Sequence, residues 1–201
     1  CLASYEQLKD LAGLADAHNG MANICFELGR LAEARQHYEA GAAIKRDIGD
    51  VYGQAMIANN LGNTLKLQDE VDEAITQYGR SLAIFEQLGS LYATGVLHMN
   101  LGATHLQRGD LPSAEASLRR SAELYNQAGA EDFLPELERY LAELHLRRND
   151  LPKARLAGEL SLETALRLEA RAEEGMTRRV LAQIMIRDGD QAGAWDELAR
   201  S

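Results

Sequence analysis

The segment "ANNLGNTLKLQDEVDEAITQY", residues 58–78, decides the fold. It reads as two helices joined by a polar turn, yet Gly62 falls inside the first helix, where glycine costs roughly 1 kcal/mol relative to alanine. Forty residues on, "HMNLGATHLQRGDLPSAEASL" (98–118) repeats the arrangement, with Gly102 in the place of Gly62 and Ala114 in that of Ala74. A cost incurred twice at one spacing points to helices that cross too closely for larger side chains.

Working outward from this segment, an ungapped cut every forty residues gives blocks 9–48, 49–88, 89–128, 129–168 and an incomplete 169–201. One column reads Met21, Leu61, Leu101, Leu141, Leu181, and the next Ala22, Gly62, Gly102, Ala142, Ala182. Further on, Ala34, Ala74, Ala114, Ala154 and Ala194 align without exception. Four places later stand Tyr38, Tyr78, Leu118 and Leu198, with Gly158 breaking the bulky series. Self-similarity at this period marks a repeat architecture. The pattern predicts one array over 1–201 built of helix pairs. The first helices are expected at 11–28, 51–68, 91–108, 131–148 and 171–187, and the second at 31–48, 71–88, 111–128, 151–168 and 191–201. Gly49, Gly89 and Gly129 read as helix-ending glycines, Asp50 and Ser90 as N-caps, and Pro112 and Pro152 as first-turn prolines. Glu169 stands where the pattern would place glycine.

Composition agrees. The 201 residues are 46% hydrophobic but only 5% aromatic, with 3 prolines, which favours helix over sheet. A net charge of -10 argues against nucleic acid as the partner. No apolar run approaches the roughly 20 residues that span a bilayer, so no membrane partner is implied. Cys1 and Cys25 form neither a disulfide framework nor a metal spacing, which fits a reducing cytoplasm.

The Leu-Gly, Ala and Tyr columns resemble the tetratricopeptide repeat (TPR) over the whole chain. The chain departs from that signature in its period of forty and in lacking the proline at the unit's end. In these respects it is similar to the forty-residue variants found in kinesin light chain, LGN/Pins and bacterial TPR regulators. The resemblance implies an all-α, right-handed α-α superhelix, a TPR solenoid of antiparallel helix pairs whose first helices line a concave face. The ends stop mid-unit: "LASYEQL" (2–8) matches "LAIFEQL" (82–88), and Ser201 shares a column with Ser161, Ser121, Ser81 and Cys1. The expectation is an excerpt of a longer chain.

Helical spacing from the Leu-Gly pair gives the columns on the open face. They hold Asn19 and Asn59, then Asn60 and Asn100, then Asn23 and Asn63. Asparagine is a poor interior helix residue because its side chain competes for backbone hydrogen bonds. Six of them in three columns need a role. In the resembled families, asparagines of the concave face hold the main chain of an extended peptide, which implicates Asn60, Asn63 and Asn100 first. The alternative is that they brace neighbouring helices. Arg139, Arg147, Arg179 and Arg187 recur on nearly the same face toward the C-terminus, where a guanidinium fork suits a carboxylate or phosphate. Pairing within the chain, Arg139 or Arg147 with Glu143, is the competing reading.

His18, His37, His98, His105 and His145 lack metal-ligand spacing. His105 and His145 share a column with Cys25, Leu65 and Met185, which turns them toward the partner helix. No catalytic group, metal or cofactor is implied. The expected function is a protein–protein interaction module that binds a peptide or partner segment in the concave groove, as the scaffold or sensor part of a larger regulatory protein. The alternative is a structural element that self-associates through uncapped end repeats, where Leu2, Tyr5 and Leu8 at one end and Trp195 and Leu198 at the other would be bared.

Overall fold

The structure, a computed structural model, describes Tyr5, Leu8 and residues 10–201. The expected helix over 2–8 lies largely outside these, although Tyr5 and Leu8 are themselves helical. Among the described residues the regular elements are α-helices, without a strand. They run α1 Leu11–Glu27, α2 Leu31–Asp47, α3 Val51–Leu67, α4 Val71–Gln87, α5 Leu91–Arg108, α6 Leu111–Ala128, α7 Leu134–Arg147, α8 Leu151–Arg167, α9 Arg171–Asp188 and α10 Gln191–Ala199. No described helix is long and apolar enough to cross a membrane.

The turns explain the even pace. Positive φ recurs at Gly29, Gly49, Asp69, Gly89, Gly109, Gly129, Asn149, Glu169 and Gly189, every twenty residues. Each such residue ends one helix in the left-handed conformation, and in every case but Gly129 the chain re-enters helix two residues later. The next helix is started by a side-chain cap at Asp10, Asp50, Asp110, Asp150 and Asp190, each accepting from the backbone N–H three residues on. Ser90 caps Ala93 in the same way. One helix starts late. α7 begins at Leu134 rather than 131, because a proline ring at 135 inside a helix begun at 131 would clash with the carbonyl of Glu131.

The contacts divide the chain into two compact units, one up to Asn100 and one from Leu101, the division falling within α5. In the first, α1 packs on α2, α2 on α3 and α3 on α4. In the second, α6 packs on α7, α7 on α8, α8 on α9 and α9 on α10, and α7 also touches α9. Ala34, Ala74, Ala114 and Ala154 are fully buried at these crossings. The glycines serve as sockets. A Cβ on Gly62 would lie 2.6 Å from the Tyr78 ring, and one on Gly102 2.6 Å from Leu118. The glycine column thus makes room mainly for the bulky residue of the partner helix rather than for its alanine. Gly158, which lacks that bulk, is filled from α9, where Leu181 would approach its Cβ to 2.7 Å.

The serine column ties α4 to α3 and α8 to α7. Ser81 Oγ donates to the Ala55 carbonyl at 2.8 Å and Ser161 Oγ to the Pro135 carbonyl at 2.7 Å, both inside the core.

Candidate functional site

Five of the six expected asparagines gather on helices of the first unit in two linked groups, and three of them share a cleft. Asn23 on α1 and Asn60 and Asn63 on α3 line a cleft of about 270 Å³ together with Phe26, Glu27 and Tyr38. The Tyr38 hydroxyl donates to Asn23 Oδ1 at 2.6 Å, and the Tyr78 hydroxyl to Asn63 Oδ1 at 2.7 Å. Burial pushes the Tyr38 phenol up to about 12, with the Glu27 carboxylate adding to it, so it stays a donor. Each tyrosine therefore fixes one amide with its oxygen inward.

The other group is a chain of amides. Asn100 Nδ2 donates to Asn59 Oδ1 at 3.0 Å, and Asn59 Nδ2 donates to Asn60 Oδ1 at 3.3 Å. Asn60 is thus oriented from outside the cleft that it lines. Asn19 is half-buried and lies outside the cleft, its Oδ1 shielded and without a protein hydrogen bond. Among the described residues, Nδ2 of Asn23, Asn60 and Asn63 donates to no protein group. The cleft can offer amide N–H donors to carbonyl oxygens, with the Glu27 carboxylate as an acceptor beside them.

The pairing of Asn23 with Tyr38 and Asn63 with Tyr78 has a sequence signature. In the next repeat Leu118 replaces the tyrosine, and Ala103 replaces the asparagine. Part of the asparagine pattern is therefore a tyrosine partnership.

The arginine series divides. Arg139 is only 6% exposed. It bonds Glu173 at 2.9 Å and Glu143 at 3.0 Å, lies 3.8 Å from Glu136, and stacks over the Tyr140 ring at 4.3 Å. Of the two readings of Arg139, this arrangement fits pairing within the chain, including the i,i+4 pair with Glu143: removing a guanidinium from water requires partners, and it has them here. Arg147 is exposed and donates to the Leu106 carbonyl rather than to Glu143. Arg179 is exposed and donates to the Gly175 carbonyl of its own helix, while Arg187 is exposed and, among the described residues, has no hydrogen-bond or ion-pair partner.

Two features escaped the sequence reading. Lys45 is buried and held by Asp16 at 2.6 Å and Asp50 at 2.8 Å; hydrogen bonds to these carboxylates raise its pKa, and the bond from Lys45 lowers that of Asp50. The column His18, Ala58, His98, Glu138, Arg178 is polar except at Ala58. Its members include His18, with Nδ1 3.0 Å from Nδ1 of His37, and Arg178, buried against Glu174 and Glu197. Repetition of polar types at a junction position was the available signal. Among the described residues no group of three or more His, Cys, Asp or Glu side chains could hold a metal.

A sequence model of the tetratricopeptide repeat matches residues 13–87 and 53–127. The comparison with curated proteins gave no match. Among solved structures, BtubC (BKLC) from P. vanneervenii is similar at 17% identity and a TM-score of 0.77, over 98% of this chain and 82% of that one. A kinesin light chain with TPR-like repeats from Podosopora anserina aligns at 13% identity and a TM-score of 0.71, over 92% of this chain and 91% of that one. YrrB, described as a TPR protein with an unusual peptide-binding site, aligns at 15% identity and a TM-score of 0.56, over 98% of this chain and 88% of that one. At these identities the likeness concerns the fold.

Proposed function

The chain belongs to the tetratricopeptide-repeat family, and on that premise we propose that it is a protein-interaction module holding an extended peptide segment in the amide-lined cleft of its first unit. Such arrays generally serve protein–protein contacts. The observation that carries the reading is the set of three asparagine amides around one cleft whose donors meet no protein partner among the described residues. A peptide carbonyl accepts what they donate, so recognition falls on the main chain; the exposed Arg179 and Arg187 of the second unit are, separately, open to acidic side chains of a partner. The role is that of a scaffold or sensor within a regulatory protein.

The test is selection of binders from a displayed random-peptide library, followed by fluorescence anisotropy with a selected peptide. Asn23→Ala/Asn60→Ala is expected to weaken binding about 30-fold, from two amide hydrogen bonds at about 1 kcal/mol each. Circular dichroism should be unchanged. Undiminished affinity in the folded double variant removes the amide cleft as the site.

A second reading, association with another copy, is favoured by one observation. Trp195 is 72% exposed, and with Ile186 and Leu198 it lines a cavity of about 310 Å³. Sedimentation across a concentration range separates the two readings: a monomer at every concentration excludes the second.

A further inference from the structure

A second cleft in the first unit, of about 530 Å³, opens between α2 and α4 with α3 as its floor. That volume lies within the range of about 300–1,000 Å³ typical of ligand sites. Ile57 and Leu61 form a buried apolar floor, and Arg46 and Arg80 stand exposed at the edge. Ala58 in this cleft and Asn63 in the amide cleft are separated by about 140° around α3, so the two sites use opposite sides of one helix.

The repeat explains why the space exists. Ala58 occupies the junction column that elsewhere carries His18, His98, Glu138 and Arg178. In the first repeat His18 meets His37 at 3.0 Å, and in the last Arg178 meets Glu197 at 2.7 Å. In the second, the side chain stops at Cβ, and Gln77, forty residues after His37, lines the opening. An amino-acid side chain of the chain itself fills this place in other repeats. A side chain from another polypeptide is therefore the occupant of matching size and chemistry.

Charge selects among such polypeptides. In a chain of net charge -10, the edge of this cleft is cationic. Among the described residues Arg46 reaches only its neighbour Asp47, at 4.0 Å, and Arg80 forms no ion pair. We propose that this cleft docks an acidic peptide segment of a partner protein, with an apolar side chain seated on Ile57 and Leu61 and carboxylates on Arg46 and Arg80.

The probe is a short fluorescein-labelled peptide alternating leucine and glutamate, compared with its leucine–lysine analogue. Anisotropy is read at about 0.15 M salt, where a screening length of about 8 Å mutes the chain's overall charge but not contact pairs. The glutamate peptide is expected to bind and the lysine peptide not to. Arg46→Glu/Arg80→Glu, on exposed positions, should weaken binding at least about tenfold, and Ala58→Phe, which fills the opening, should abolish it. Asn60→Ala should leave this binding intact while impairing that of the library-selected peptide, so failure of one site is distinguishable from failure of the other. Equal binding of the lysine peptide, or unchanged affinity in the charge-reversed variant, overturns the proposal. So does loss of binding in Asn60→Ala, or full binding by a folded Ala58→Phe; should that variant not fold, the charge-reversed variant decides.

Discussion

Gly62 and Gly79 are both helical, yet an added methyl meets opposite surroundings at the two positions. At Gly62 it would stand 2.6 Å from the Tyr78 ring, whereas at Gly79 nothing lies within 4 Å. Gly62→Ala is therefore expected to lower stability by about 1–3 kcal/mol through overpacking. Gly79→Ala should raise it by about 0.5–1 kcal/mol, the ordinary helix preference. Urea unfolding midpoints of the two variants check the opposite signs. The same denaturation reads Glu169, held at φ 55° where the other unit-ending turns Gly49, Gly89 and Gly129 have glycine. Glu169→Gly is expected to gain about 1 kcal/mol by relieving a left-handed conformation that costs a side chain roughly 1–2 kcal/mol. The glycine sockets were legible because glycine in a helix is locally costly. Half the meaning of Asn23 and Asn63 was legible too, in the exchange of Asn–Tyr for Ala103–Leu118, but only by comparing two columns that meet across a helix pair. For Arg139 the i,i+4 partner Glu143 was legible, but Glu173 was not, since it lies on another helix and no spacing rule reaches it.

Between elements, the paired helices are held by contacts whose positions recur while their chemistry varies. Ala114 is fully buried, with its carbonyl 3.4 Å from where a Cβ on Gly102 would lie. Ala114→Leu would insert a branched side chain there and is expected to cost about 1–3 kcal/mol or more. Thermal unfolding followed by circular dichroism measures this. The tyrosine hydroxyls give a more delicate test. A double-mutant cycle of Tyr78→Phe and Asn63→Ala should show a coupling of about 0.5–1.5 kcal/mol, the worth of one internal hydrogen bond. The helix positions came readily from the period, because turn residues and caps are local. The late start of α7 follows from Pro135, which the forty-residue register alone passed over. The cleft around Ala58 was beyond that register for a related reason: a column reports which residue is present, not the volume that a missing side chain leaves.

On the scale of the whole molecule, the stability of the array should respond to mild acid through two half-buried histidines. Burial lowers the pKa of His105 and of His145 in the second unit below the ordinary imidazole value. Their folded forms favour the neutral ring, whereas the unfolded chain takes up protons once pH falls below about 6.5. Stability should therefore be complete above that pH and decline as pH drops toward the depressed folded values. Asp110 and Asp150, held low chiefly by hydrogen bonds from Ser113 and Lys153, lose their contribution only in the carboxylate range, below about 4. Urea midpoints between pH 7.5 and 5.5 should fall, and His105→Gln/His145→Gln should flatten the decline; an equally steep decline in the double variant would exclude these two rings as its source. The left-handed turns every twenty residues carry a consequence for how such a gene can drift. A single inserted or deleted codon within any helix swings everything beyond it by about 100° and strips the sockets of their knobs. Length change should thus enter this lineage as whole forty-residue cassettes, or as additions to the turns themselves, and hardly ever between.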